Sequence, residues 1–460
     1  MSIYVDRGQV LEALPRPLAI GALVVLGVQV LATGLTRRPE LGTAIALLTV
    51  LAIIDPRVAV LAVVFWVIAR ELARRRSWEA SWHLVRTPIV VLFLVTAVRL
   101  VSSPAFAPGD VLPRVSSAQA AIETGGPDMF LFLLDGYPRS DTLASFGYDN
   151  SWFEDELRER GFTISSRSHS NYTFTYVVVP TLFHMRHAAE IEELRNARDE
   201  WVAQRRAIRD AIASAPVFPF LEGKGYEIVS AGASATPLSL SPVARYVDNG
   251  AMTQFEREIL ASTAVGRSMP SIALGQHRDR VLGALDAAEA VASDPDQTFL
   301  FSHVLSPHVP FVFDRGGSLP DLPCGSSCDR FAIYVSQSGL TRAEFERAYA
   351  DQVHYVNQEI LESLDRIIAA SPTAPVVLFS DHGSRSQYEL TEEWYATFFA
   401  SRTPGRPGVF PDDARPIEIL PVLLKEYLGE SVPIPPDETY YSPSRGSRPL
   451  YLERWDGTDP

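Results

Sequence analysis

Three apolar runs in this chain end in residues able to bind a cation or move a proton. Val376–Arg385 reads VVLFSDHGSR, a buried-strand pattern closing on Asp381, His382 and Gly383. Met129–Leu134 (MFLFLL) closes on Asp135 and Gly136, and Thr298–Ser302 closes on His303, with His308 five residues on in SPHVPF. Aspartate offers a hard oxygen and histidine an imidazole nitrogen, a pair suited to a divalent metal. A strand running into a turn, with the acid as an ordinary turn residue, is the plain alternative at each position taken singly. An open α/β sheet presents its ligands at the carboxyl ends of its strands, so three such ends point to one site.

The elements that would hold these residues alternate. Ser151–Arg160 reads as a short amphipathic helix, and an extended piece starts at Gly161-Phe162. Residues 168–185, SHSNYTFTYVVVPTLFHM, read as a loop feeding a helix from near Thr175, with Pro180 against the helix. Tyr226–Ser230 reads as a strand, Arg278–Ala292 as a helix, and Thr341–Ala370 as a long helix with Val353, Val356, Ile360, Leu364 and Ile367 in one stripe. A strand at Tyr395–Ala400 and a helix at Pro416–Leu428 close the pattern. Strands alternating with helices predict an α/β fold with a mostly parallel central sheet flanked by helices. Neither a glycine-rich phosphate loop nor a G-x-S-x-G elbow is present, so a serine-hydrolase triad has little support.

Charge and hydropathy divide the 460 residues unevenly. Residues 1–105 hold eleven arginines against six acids, and the formal charge of −14 then leaves −19 for the remainder. An acidic remainder argues against nucleic acid, which needs a basic face. Leu18–Leu35, Leu41–Ile54, Val58–Ala69 and Thr87–Val101 are apolar runs. They read as a transmembrane anchor over 1–101. With Asp55-Pro56-Arg57 as a hairpin tip the anchor has four helices; with Leu41–Ala69 as one kinked helix it has three. The single helix would leave Asp55 and Arg57 near mid-bilayer, whereas four spans put Arg37, Arg38 and the Arg70–Arg86 run on the cytoplasmic side. Both arrangements place everything after about residue 102 outside, with 102–126 as a linker and 127–460 as the extracytoplasmic domain. Cys324 and Cys328 form a C-x3-C pair, a small disulfide or half a metal site; outside the cytoplasm the disulfide is favoured.

In order, LLDGYPRSD, SNYTFT, SPHVPF, DQVHYVNQEILESLDRI and VVLFSDHGSR resemble the alkaline phosphatase superfamily. The resemblance spans roughly residues 127–445 and is closest to its membrane-anchored, sulfatase-like branch, near lipoteichoic acid synthases and phosphoethanolamine transferases. It implies that Asp135, Asp381 and His382 hold a metal together with Thr175, the nucleophile position, and that His308 contacts the transferred or leaving group. Beside these, His303, Asn171 and Arg385 are candidate substrate-binding residues, Asn171 as support for the nucleophile loop and Arg385, like His354, within reach of an anionic group; Thr173 is the alternative nucleophile to Thr175. Asp135 departs from the transferase branch, which commonly has Glu there. The formylglycine context of sulfatases, C/S-x-P-x-R, surrounds neither cysteine.

The chemistry is consistent with these roles: metal coordination activates a threonine hydroxyl, the same cation neutralises phosphoryl charge, and a histidine can protonate a departing oxygen. The expectation is one divalent ion, zinc or manganese ahead of magnesium or calcium, in a phosphotransferase or phosphoesterase acting on a lipid or cell-envelope glycan at the bilayer. A sulfate-ester hydrolase and a non-catalytic membrane scaffold are the competing readings.

Overall fold

The computed structural model describes residues 30, 126–197, 201–232, 238, 240, 244–247, 270–322, 339–385, 390–443 and 450–457. The chain divides into two compact units, Met1–Pro113 with Thr253–Ala273, and Arg114–Met252 with Leu274–Pro460. The expected anchor runs and both cysteines lie outside the described residues, among which no helix is long and apolar enough to cross a membrane.

In chain order the strands are β1 (Met129–Leu134), β2 (Thr163–Ile164), β3 (Glu227–Ala231), β4 (Arg245–Val247), β5 (Thr298–Val304), β6 (Val376–Phe379), β7 (Phe399–Arg402), β8 (Tyr440–Tyr441) and β9 (Glu453–Arg454). The helices are α1 (Ser140–Ser145), α2 (Ser151–Glu159), α3 (Thr175–His184), α4 (Glu192–Arg195), α5 (Trp201–Ala213), α6 (Val217–Gly223), α7 (Pro270–Ala292), α8 (Arg342–Ala370) and α9 (Ile419–Leu428). Seven strands form one sheet in the order β2-β7-β6-β1-β5-β3-β4. β6, β1, β5, β3 and β4 run parallel, and β7 is antiparallel to both β6 and β2.

β1 is the axis of this sheet because every one of its residues is apolar and buried. Phe130, Phe132 and Leu134 belong to one core, with the α8 stripe of Val353, Val356, Ile360, Leu364 and Ile367; Met129, Leu131 and Leu133 belong to another, with Val177, Val179 and Leu182 of α3. A strand covered on both faces reads as a continuous apolar run, which is why period-2 alternation is missing here. Register then fixes the site. Leu133 lies opposite His303 of β5 on one side and Phe379 of β6 on the other. Asp135 and the Asp381-His382 pair therefore leave neighbouring strands at the same end as His303.

Three sequence expectations shift. α3 runs through Pro180, because burial of Val177, Val178, Val179, Leu182 and Phe183, at roughly 1.5–3 kcal/mol each, exceeds the ~3 kcal/mol cost of an interior proline. β5 continues to Val304, which places His303 inside the strand. The strand expected at Tyr395–Ala400 begins only at Phe399, because the carbonyls of Trp394 and Tyr395 accept from Gly383 and Ser170 and so serve neighbouring loops.

α8 starts where the sequence places it. Thr341 is its N-cap and forms a reciprocal capping box with Glu344. Thr341→Ala should lower stability by about 1 kcal/mol, read as a shift of the urea midpoint at unchanged slope.

Candidate metal centre and nucleophile

Asp135 and Gly136 follow β1 in a tight turn. Gly136 has φ +72°, and its N–H donates to Asp381 Oδ1 at 3.0 Å. A Cβ at this position would stand 3.1 Å from the His382 ring, so the glycine meets both a backbone and a steric requirement. Gly383 is held more tightly still: a Cβ there would lie 1.8 Å from the Glu393 carbonyl. These contacts explain the glycine that follows each acidic strand end.

The two carboxylates are almost fully buried. Asp135 Oδ2 is 3.1 Å from His303 Nε2, while Oδ1 has no hydrogen-bond partner and faces His382 Nε2 at 3.4 Å. The same His382 nitrogen is 3.5 Å from Asp381 Oδ2, which also accepts the Thr175 hydroxyl. His382 Nδ1 lies 2.7 Å from the Gly383 carbonyl, so Nδ1 carries the proton and Nε2 is left as a lone-pair donor. His308 is arranged alike, with Nδ1 2.6 Å from the Val309 carbonyl. Asp135, His308 and His382 each offer a ligand atom within 4.8 Å of the others.

These atoms fit a divalent cation. Two ligands about 2.1 Å from one zinc at tetrahedral angles stand roughly 3.4 Å apart. The gaps between His382 Nε2 and the two carboxylates match that spacing and exceed a good hydrogen bond. The buried, unpartnered Asp135 oxygen is an atom that a cation would satisfy. A mixed oxygen and imidazole donor set suits zinc or manganese better than magnesium or calcium.

Electrostatics centre on the same atoms. Burial opposes ionisation of Asp135, but the charge of His308 and the hydrogen bond from His303 outweigh it and hold the carboxyl well below its usual range. Burial pushes the His308 imidazole down, opposed by Asp135. Arg385, buried with φ +51°, is pushed down to about 10 by burial against the pull of Asp381 and Asp135, and stays charged at neutral pH. Its guanidinium donates to the Thr173 carbonyl and lies over Phe174 at 4.7 Å and Trp394 at 5.6 Å, while its Nε has no partner.

Asp135, Thr175, Asp381, His382, His303, His308 and Arg385 are thus linked in one group. Thr175 is the first residue of α3, and Thr173 is buried behind it with its carbonyl taken by Arg385. Asn171 lies apart in role: its amide donates to the Glu438 carbonyl at 2.8 Å, and its own carbonyl accepts from Tyr440, tying the loop to the C-terminal segment. Cys324 and Cys328 are outside the described residues. Sequence reasoning missed Tyr349 and Gln352 of α8, which bond the Gly136 carbonyl and the loop around His308. The available signal was a glutamine beside the apolar stripe of that helix.

No family model and no curated protein matches the chain. Among solved structures, it is similar to the C-terminal periplasmic domain of EcEptC from Escherichia coli, at 12% identity and TM-score 0.45 over 72% of this chain and 93% of that one. A zinc complex of the same domain matches at 14% identity and TM-score 0.44, covering 69% and 89%. The phosphonate monoester hydrolase of Agrobacterium radiobacter matches at 12% and 0.41, covering 68% and 80%. Likeness of this degree carries no argument about chemistry, which rests on the site itself.

The charge balance has a pH consequence. With its pKa lowered below 6.5, His308 is neutral in the fold where the unfolded chain is protonated, so the metal-free protein should lose stability as pH falls from about 6.5 towards the folded value. Asp135, also lowered, adds a second loss as pH falls from 3.8. Denaturant melts at about pH 7.5 and about pH 5.5 should differ in the wild type and differ less in His308→Gln, with His184 and His354, also lowered by burial, accounting for the remainder.

Proposed function

We propose that the domain is a metal-dependent phosphotransferase or phosphoesterase that works through a covalent threonine intermediate. The observation supporting this most directly is the Thr175 hydroxyl, at the start of α3, hydrogen-bonded to Asp381 within a buried Asp/His cluster. Asp381 Oδ2 is placed to take the hydroxyl proton as Thr175 Oγ1 forms a bond to phosphorus and the bond from phosphorus to the leaving oxygen breaks. Thr175 stands at the N-terminus of α3, whose dipole favours negative charge there. His308 is the proton donor to the leaving oxygen. Its Nδ1–H is committed to Val309, so the ring acts in its doubly protonated form and gives the second proton from Nε2; burial makes that imidazolium a stronger acid. Arg385 holds the anionic group.

Asp135, Asp381 and His382, with Thr175, would hold the divalent ion. When bound, it lowers the pKa of the hydroxyl and neutralises charge on the transferred group. A second acceptor, alcohol or water, then takes the group from Thr175. The apolar N-terminal runs support a domain tethered outside a bilayer, working on a lipid or cell-envelope glycan.

Thr175→Ala should lower turnover of an aryl phosphate by at least about 1,000-fold while one metal per chain remains bound. Full activity in that variant would sink the role of Thr175. An aryl sulfate assayed beside the phosphate should be turned over far less; the reverse preference would make the protein a sulfate-ester hydrolase.

A further inference from the structure

We infer that Gln352 is a positioning residue that sets the place of His308 in the reaction. The inference rests on the reading of His308 as proton donor. Gln352 is wholly buried on α8, and every hydrogen-bonding site of its amide is used on one short segment. Its Oε1 accepts from the N–H of Val312 at 2.7 Å and of Phe313 at 3.3 Å, and its Nε2 donates to the carbonyls of Pro307 at 3.0 Å and His308 at 3.2 Å.

Val309, Phe311, Val312 and Phe313 of that segment pack in the core, and Gln352 supplies four bonds to its main chain. Between β5 and α8 it has no regular structure, and Pro307 and Pro310 supply no N–H. The His308 N–H donates to the Asp135 carbonyl at 2.9 Å, so a shift of the segment moves the ring relative to Asp135. Three residues before Gln352 and on the same side of the helix, Tyr349 donates to the Gly136 carbonyl, which follows Asp135. One helix therefore holds both the strand-end turn and the loop, and it fixes the distance between the carboxylate and the histidine. His308 itself is the one side chain of residues 307–313 that can transfer a proton.

The test uses leaving groups of different basicity on the full-length, metal-loaded protein. A 4-nitrophenolate leaves without a proton, whereas an alkoxide needs one, so a misplaced acid is felt by the alkyl phosphate alone. Gln352→Met should lose about 10- to 100-fold in kcat on an alkyl phosphate and less than about 3-fold on 4-nitrophenyl phosphate, with bound metal unchanged. Gln352→Glu keeps the acceptor for Val312 and Phe313 but faces two carbonyls with a carboxylate; it should show the same split and decides the matter if the methionine variant fails to fold. His308→Gln should show the split too, and the double variant should be no worse than His308→Gln alone. Val356→Ala, one turn along α8, should lower the melting temperature without a split. Equal losses on both substrates, or additive losses in the double variant, would overturn the positioning role while leaving the catalytic reading in place. No split in His308→Gln would overturn the proton-donor reading and this inference with it.

Discussion

The structure depends on placing two carboxylates, Asp135 and Asp381, out of water at the ends of adjacent parallel strands. A buried ionised carboxylate costs several kcal/mol unless it is paired and hydrogen-bonded. The surroundings of both acids follow from that cost. Asp381 takes the Gly136 amide on one oxygen and Thr175 on the other. Asp135 takes His303 on one oxygen and keeps the other towards His382 without a hydrogen bond. Compensation is complete for one acid and incomplete for the other, and the incomplete side is where His382 and His308 converge. A fold selected for stability alone would have filled that gap with a donor or removed the charge.

The sheet places the ends of the strands, but it does not aim the side chains. Aim comes from glycines and from α8. Gly136 and Gly383 let the backbone approach where a Cβ would collide with His382 or Glu393. The α8 side chains Tyr349 and Gln352 reach the turn after β1 and the loop after β5 from the opposite side. Their partners are backbone groups, so the restraint acts on the main chain and leaves the imidazole and carboxylate atoms free for chemistry.

Much of this was legible in the sequence, and the reason is physical. Strands buried on both faces are continuous apolar runs, so β1, β5 and β6 announced themselves, and Asp135, His303 and the Asp381-His382 pair stood out at or just past their ends. The boundary between Thr173 and Thr175 was not legible, because which hydroxyl meets Asp381 is decided by where α3 begins. β7 was displaced by several residues for a similar reason: the backbone groups of Trp394 and Tyr395 pair with loops from elsewhere in the chain. What Asn171 ties the nucleophile loop to, the Glu438 carbonyl, lies 267 residues away and left no local signal. Gln352 was missed because a single glutamine beside an apolar stripe looks like a helix-surface residue until the loop it satisfies is known.

The charges of the site bear on what it accepts. Two carboxylates face one guanidinium, Arg385, which burial makes costly to keep charged. Left so, the site is net negative and would repel a phosphate ester. A divalent ion held by Asp135, Asp381 and His382 would reverse the sign, giving a net positive centre in a low-dielectric cluster where its attraction for an anion is least screened. The unpartnered Nε of Arg385 then supplies a donor for an oxygen of an anionic group, and the N-terminal end of the α3 dipole favours negative charge beside Thr175. Metal binding and anion binding are therefore coupled through Asp135 and Asp381. The same two acids that would by themselves repel a phosphate ester are the ones that, with the cation, make the cluster attract one.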